Sequence, residues 1–353
     1  MISKIIGEEK IQKTHKYIEK GDSFVIVSHV SPDGDSLGSS LALYHFLTKY
    51  GKDNVSVIVP NLYPSFFNWM PGRKEIIVHE KYPEFAEQLI RDADVIFCLD
   101  FNEPKRLEGM ASAVLAAEGR KVRIDHHLDP ADFCRVVISH PEISSTSEMI
   151  FRLICRMGLF NLIDKNTAEC IYTGMMTDTG AFTYNSNKPE IYTIVGELIK
   201  KGIEKDLIYR KVNHAYSESR LRLMGYVLNE KMKIYPELHT ALITLSKEEL
   251  KRFDYRPGDT EGLVNMPLSI SGIVFSVFLR EDGDCIKVSL RSIGNFPVNE
   301  FSGKYFNGGG HLNASGGEYY GLLEDAVALF EKGLAEFNPD NNEETVNHKR
   351  DLT

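Results

Sequence analysis

The densest apolar positions in the chain fall into short runs. Phe24-Val25-Ile26-Val27, Val95-Ile96-Phe97-Cys98-Leu99 and Val122-Arg123-Ile124 are too brief for helices and rich in β-branched and aromatic residues, so they predict buried parallel strands. Amphipathic segments separate them, and this alternation up to about Tyr184 predicts βαβ units and an α/β fold on a parallel sheet. From Pro189 to about Leu228 the apolar positions (Ile191, Ile194, Val195, Leu198, Leu221, Leu223 and Met224 among them) read as consecutive helices with no clear strand. From Lys231 strands return at 241–245, 273–279 and 285–290, the last two flanking Asp282-Gly283, a strong hairpin signal. The expected organisation is an N-terminal parallel-sheet domain over 1–188, a helical connector over 189–230 and a smaller α+β domain over 231–337. The remainder, 338–353, is polar, lacks aromatic residues and is expected to be disordered.

Chemistry-bearing residues sit where those runs end. His29, Asp33 and Asp35 lie in Ser28–Ser39, between the first run and a helix expected near Asp35, and Asp100 closes the second run. Asp125, His126 and His127 close the third, while Asp178 follows an apolar helical turn in a glycine-containing segment, 174–182. Taken singly, each has an ordinary explanation: Asp35 or Ser36 as a helix N-cap, Asp100 as the cap of a helix near Pro104, Asp178 as packing. Two adjacent histidines and an acid at a strand end resist such an explanation, because they are hard to satisfy without a strong partner. Ligands collect beyond the carboxyl ends of open α/β sheets, so the five acids and the histidines would converge there as a ligand set for two divalent metals. Carboxylate and imidazole without thiolate fit Mn²⁺ first, with Mg²⁺ or Co²⁺ as substitutes, and disfavour structural zinc. Two such ions about 3.5–4 Å apart activate water for attack on phosphorus, with no protein nucleophile needed.

A second group lies in the C-terminal domain. In the glycine-dense segment 307–317, Gly308, Gly309 and Gly310 immediately precede His311, which suggests a loop whose backbone approaches an anion closely. A flexible turn is the plain alternative. Lys287, Ser289 and Arg291 share one face of a strand by its period of two, placing a forked phosphate-binding guanidinium beside that loop. A solvated strand face would look the same.

Composition narrows the substrates. With 41 basic against 50 acidic residues, a net charge of −9 argues against gripping long duplex nucleic acid, while leaving room for short substrates held by metal. The 353 residues, 42% apolar, supply two cores. Five cysteines without a Cys-x-x-Cys pair read as reduced core thiols. No signal core and no run of about eighteen apolar residues is present, so a cytoplasmic protein without membrane contact is expected.

At these motifs the chain resembles the DHH phosphoesterase superfamily with a DHHA1 C-terminal domain, across almost all of 20–337. It is most similar to the stand-alone bifunctional oligoribonucleases and 3′-phosphoadenosine-5′-phosphate (pAp) phosphatases. The matching motifs are Asp33-Gly34-Asp35-Ser36-Leu37-Gly38-Ser39, Asp100, Asp125-His126-His127, Asp178-Thr179-Gly180 and Gly308-Gly309-Gly310-His311. The resemblance implies that His29, Asp33 and Asp100 hold a first metal, and Asp35, Asp100, His126 and Asp178 a second, with Asp100 bridging. It further implies that His127 faces the substrate phosphate, Asp125 orients it, Arg291 and His311 contact substrate, and the connector is a hinge. Ser144-Ser145-Thr146 either adds hydroxyls to the site or caps the helix after it. The expected substrates are short single-stranded RNA and pAp. Linear or cyclic dinucleotides, pyrophosphate or polyphosphate, and a non-catalytic nucleotide sensor are the rivals, and a homodimer stays open.

Overall fold

The three dense runs form the middle of a six-stranded, all-parallel sheet in the computed structural model, which describes residues 4–214 and 216–337. Its strands are β1 (Ser23–Val27), β2 (Asn54–Val59), β3 (Ile76–Val78), β4 (Val95–Leu99), β5 (Arg120–Asp125) and β6 (Val136–Ser139), in spatial order β3-β2-β1-β4-β5-β6. The helices of this unit are α1 (Glu8–Lys20), α2 (Gly34–Lys49), α3 (Pro83–Asp92), α4 (Ala111–Ala116), α5 (Thr146–Arg156), α6 (Lys165–Asp178), α7 (Pro189–Lys200) and α8 (Lys205–Asn213). Successive strand side chains point to opposite faces. Phe24, Ile26, Phe97, Leu99, Val122 and Ile124 therefore share one core with α1, α2 and α5–α8, whereas Val25, Val27, Ile96 and Cys98 share another with α3 and α4. Coverage on both faces explains why these strands are continuous apolar runs and not alternating ones.

Two features of this sheet build the site. The chain moves outward from β1 through β2 to β3, then returns to place β4 on the other side of β1. The connections from β1 and β4 thus leave in opposite directions and open a crevice at their carboxyl ends, the switch point of doubly wound sheets. Register then sets the level: Val27 pairs with Cys98, and Cys98 with Arg123, in one row across three strands. His29, Asp100 and Asp125 each stand two residues beyond that row.

Behind the crevice α2 is buried on all sides along its first half, Gly34 to Leu43. It crosses α6 at glycines. A Cβ on Gly38 would lie 2.7 Å from the Cys170 carbonyl oxygen and 2.8 Å from the Gly174 nitrogen, so no larger residue permits this approach. The crossing brings the start of α2, with Asp35, against the C-terminal half of α6, with Asp178.

The described chain divides into two compact units on either side of residue 215. The apolar faces of α7 and α8 belong to the first core through Ile191, Ile194, Leu198, Ile208 and Val212, whereas α9 (Glu218–Tyr226) gives Leu223 to a core of the second unit. That unit holds α10 (Lys247–Arg252), α11 (Val298–Tyr305), α12 (Leu323–Glu336) and β7 (Met232–Tyr235), β8 (Thr240–Leu245), β9 (Phe275–Asp282), β10 (Cys285–Ser292), β11 (Gly309–His311) and β12 (Ala314–Tyr319). Its sheet runs β11-β12-β10-β9-β8-β7, parallel only between β8 and β9. The hairpin expected at Asp282-Gly283 joins β9 to β10, with Gly283 at φ +55°. Ile273 and Val274 lie before β9 and not within it. The segment 338–353, expected to be disordered, lies outside the described residues. All five cysteines are free, and burial pushes the Cys98 and Cys170 thiols well up. Among the described residues no helix is long and apolar enough to cross a membrane.

Candidate metal centre

The loop leaving β1 is held from both sides. The Val30 amide donates to the Arg106 carbonyl at 2.8 Å, and the Ser31 amide donates to Asn61 Oδ1 at 2.7 Å, with Ser31 at φ +54°. Asp33 then caps α2: its Oδ1 accepts from the amides of Asp35 at 3.0 Å and Ser36 at 2.9 Å. The cap is therefore Asp33, and neither Asp35 nor Ser36 fills that role. Asp33 precedes the first helical residue, Gly34, and its extended backbone carries the carboxylate over the open amides, releasing Asp35 to point inward. Asp100 sits at φ +65°, a left-handed conformation costing of order 1–3 kcal/mol for a non-glycine residue, while its amide still donates to Ile124 at 3.1 Å.

These backbones bring together all eight first-unit residues expected at the site. His29 Nε2 lies 3.4 Å from Asp100 Oδ2 and 3.9 Å from Asp33 Oδ1. His126 Nε2 lies 3.5 Å from Asp100 Oδ1, 3.4 Å from Asp178 Oδ2 and 3.9 Å from Asp35 Oδ2. Asp100 thus turns one oxygen to each of two donor groups. Both histidines engage backbone carbonyls through Nδ1, His29 to Val30 at 2.8 Å and His126 to Ile143 at 3.2 Å. A carbonyl only accepts, so Nδ1 carries a proton and Nε2 is the nitrogen turned to the carboxylates, where loss of its own proton would free a lone pair oriented for a metal. His127 is fastened differently: its Nδ1 lies 2.7 Å from Asp125 Oδ1, which also accepts the His127 amide at 3.1 Å.

The electrostatics ask for cations. Asp35 and Asp100 are buried, with Asp33 and Asp178 more open at the mouth. Burial, together with the charges of Asp100 and Asp178, pushes the Asp35 carboxyl well up. Burial, Asp100 and Asp33 push Asp178 up to about 6 against the pull of His126 and His127. Burial would lower His126, yet Asp178, Asp100, Asp35 and Asp125 raise it to about 10. Burial opposes ionisation of Asp100 as well, but the adjacent His29, with the charges of His127 and His126, holds its carboxyl well below the usual range. Protons are here doing, incompletely, what bound dications would do. Contacts of 3.4–3.9 Å also exceed hydrogen-bond distances and approach the roughly 3.0–3.4 Å separating donors that share an ion at about 2.1 Å. Two overlapping sets, His29–Asp33–Asp100 and Asp35–Asp100–His126, bring their donor atoms within 4.8 Å of one another. Hard oxygens, imidazole and no thiol suit Mn²⁺, Mg²⁺ or Co²⁺.

Ser144-Ser145-Thr146, expected either to add hydroxyls to the site or to cap the helix after it, does both. Ser145 caps α5 by accepting from the Glu148 amide, and the next two amides, of Thr146 and Ser147, donate to Asp35 Oδ2 at 2.6 Å and Oδ1 at 2.9 Å. The Thr146 hydroxyl donates to Asp100 Oδ1 at 2.9 Å. Ser144-Ser145-Thr146 therefore both caps the helix and reaches the acids. Glu148 and Arg152, buried and paired at 2.6 Å, brace the same turn, with Ser144 Oγ donating to Glu148 at 2.5 Å. No sequence signal pointed to that pair.

The second-unit candidates form a group of their own. Lys287, Ser289 and Arg291 occupy the less buried face of β10, whose exposure alternates without interruption. Arg291 pairs with Ala314 and Ala314 with His311, so the arginine and histidine share one sheet face, two strand spacings or about 10 Å apart, over a methyl group. Lys287 lies 3.8 Å from Glu318. The glycines differ from expectation: Gly309 and Gly310 are in strand β11, and the segment is a hairpin and not an open loop. Packing and backbone explain two of them, since a Cβ on Gly308 would lie 2.0 Å from the Gly316 carbonyl oxygen and Gly310 is at φ +145°, whereas a Cβ on Gly309 would meet nothing within 4 Å.

Fold and site together define an α/β protein with a cation-demanding carboxylate–imidazole centre at the switch point of a parallel sheet. Residues 23–175 match the DHH family, N-terminal domain, and residues 239–336 match the DHHA1 domain. The bifunctional oligoribonuclease and PAP phosphatase NrnA of Thermus thermophilus is 33% identical over 300 residues, covering 84% of each chain. The Bacillus subtilis protein of the same name is 26% identical over 302 residues, 85% of this chain and 90% of that one. The crystal structure of an exopolyphosphatase-related protein from Bacteroides fragilis is 61% identical with a TM-score of 0.91, covering 96% of this chain and 99% of that one. The chain belongs to the DHH family.

Proposed function

We propose that the protein is a dinuclear-metal phosphoesterase that hydrolyses short oligoribonucleotides to mononucleotides and pAp to AMP. The observation that carries this reading is Asp100, buried and presenting Oδ2 to His29 and Oδ1 to His126. On this reading His29, Asp33 and Asp100 hold one ion and Asp35, Asp100, His126 and Asp178 the other, with Mn²⁺ as the first candidate. Bound divalent ions would neutralise charge on a phosphoryl group and acidify water. The chain's own groups do the rest. Asp125 fixes the His127 ring through Nδ1, so a hydrogen bond to a substrate phosphate runs through Nε2. Arg291 and His311, with Lys287, Ser289 and the Gly308–Gly310 backbone, supply recognition of the nucleotide's phosphate. The names of the NrnA relatives and the chain's net acidity, which suits short substrates, support this substrate class.

Polyphosphate is the second reading, favoured by the name of the 61% identical Bacteroides protein, which is called exopolyphosphatase-related. One experiment separates them: product formation with Mn²⁺ from pAp, a 5′-phosphorylated diribonucleotide, pyrophosphate and polyphosphate, with Asp100→Ala as control. Mononucleotide from the dinucleotide and AMP from pAp, both lost in the variant, are expected. Turnover of pyrophosphate or polyphosphate alone would overturn the proposal.

A further inference from the structure

The bridging position of Asp100 raises the question of what fixes its side chain. The terminal torsion of an aspartate is broad, and rotation about it exchanges the two oxygens between the two donor groups. Oδ2 is held by His29 at 3.4 Å, a contact too long to fix the rotation alone. The short contact is the Thr146 hydroxyl on Oδ1 at 2.9 Å. Thr146 also donates its amide to Asp35 Oδ2 at 2.6 Å, so one residue ties together acids from β4 and α2. It is fully buried at the first position of α5, on a turn braced by the Ser145 cap and the Glu148–Arg152 pair.

We infer that Thr146 is a positioning residue that sets the orientation of Asp100, and through it the affinity of the position formed by Asp35, Asp100, His126 and Asp178. The inference rests on the metal-centre reading above. The hydroxyl takes one lone pair of Oδ1 and leaves the other for the position beside His126, whose Nε2 lies 3.5 Å from the same oxygen. A valine of nearly the same shape keeps the amide contact to Asp35 and loses the hydroxyl. Serine keeps both.

The test is calorimetric titration of the full chain with Mn²⁺ alone, on wild type, Thr146→Val, Thr146→Ala and Thr146→Ser, beside thermal melts of the metal-free proteins. Loss of a group that orients a ligand weakens a metal site roughly 10- to 100-fold. Thr146→Val is expected to weaken one of two binding steps by that factor, and Thr146→Ser to keep both within about threefold of wild type. Wild-type affinity in Thr146→Val would overturn the inference, as would equal weakening in the valine and serine variants. If Thr146→Val does not fold, Thr146→Ala, which also loses the hydroxyl and keeps the amide, decides: affinity weakened by about tenfold or more supports the inference and wild-type affinity overturns it. A wild-type protein that takes up no Mn²⁺ refutes the metal-centre reading itself, a result distinct from binding that ignores Thr146.

Discussion

Gly174 of α6 is the position where one added methyl group probes the whole centre. A Cβ there would lie 1.9 Å from Ser147 Oγ and 2.7 Å from Asp35 Oδ1. The serine hydroxyl can rotate away. Asp35 cannot, because both its oxygens are fixed by the first amides of α5. Ser147 Cβ is equally close at 2.7 Å, and 2.7 Å against the 3.4 Å of ordinary contact leaves a deficit of 0.7 Å, which must be met by moving Asp35 or by spreading α6 from α2 and α5. Overpacking of this kind costs about 1–3 kcal/mol, which for a unit of this size lowers the melting temperature by roughly 2–12 °C. A displacement approaching 1 Å at a ligand also reduces turnover by about 100-fold. Gly174→Ala is therefore expected to remain folded, to melt a few degrees low and to bind Mn²⁺ at least tenfold more weakly by calorimetry. Gly196→Ala is the matched control, since that glycine lies within α7 with nothing within 4 Å of the added atom. It should leave binding unchanged and stabilise the helix by about 0.5–1 kcal/mol. A Gly174→Ala protein with wild-type Mn²⁺ affinity would refute the claim that the glycine crossing places Asp35.

Loading the centre should release protons. In the metal-free protein His126 keeps its proton up to about pH 10 and Asp178 up to about 6, and both must lose it to serve as ligands. Apparent Mn²⁺ affinity is thus expected to rise between about pH 6 and 10, and a flat profile in calorimetry across buffers of different ionisation enthalpy would contradict this. Asp125→Asn removes the charged partner of His127 Nδ1 but no proposed ligand, so kcat should fall about 100-fold with Mn²⁺ affinity unchanged. Arg291→Ala should raise KM about tenfold with kcat nearly intact, whereas Asp100→Ala should abolish turnover. A matching loss of kcat alone in both would undo this division of roles.

In the first sheet β1, β4 and β5 were legible, because strands buried on both faces leave an unmistakable apolar signal and polar residues punctuate their ends, whereas β2, β3 and β6 drew no expectation. The weaker strands of the second sheet were not legible either. β7, β11 and β12 lack such runs, and β11 and β12 are built on Gly309, Gly310, Gly316 and Gly317, which read as a loop until cross-strand pairing makes the hairpin. The acids and histidines of the site could be named from sequence, since each follows an element end. What could not be read is what α5 does: its contacts to Asp35 and Asp100 span 111 and 46 residues, and two of them come from amides, which every sequence has. The cap was misplaced by two residues for a related reason, because Asp33 and Asp35 are equally good caps until the backbone is seen.

The row Val27–Cys98–Arg123 also dictates an order of events during synthesis. The first donor group is complete once residue 100 has joined the sheet, but the second waits for His126 and finally for Asp178 at the far end of α6. A chain still emerging from the ribosome, surrounded by RNA, would hold half a centre and no bridged pair. Hydrolytic competence would then arrive only after α6 has closed over α2, so that maturation and activation become one event.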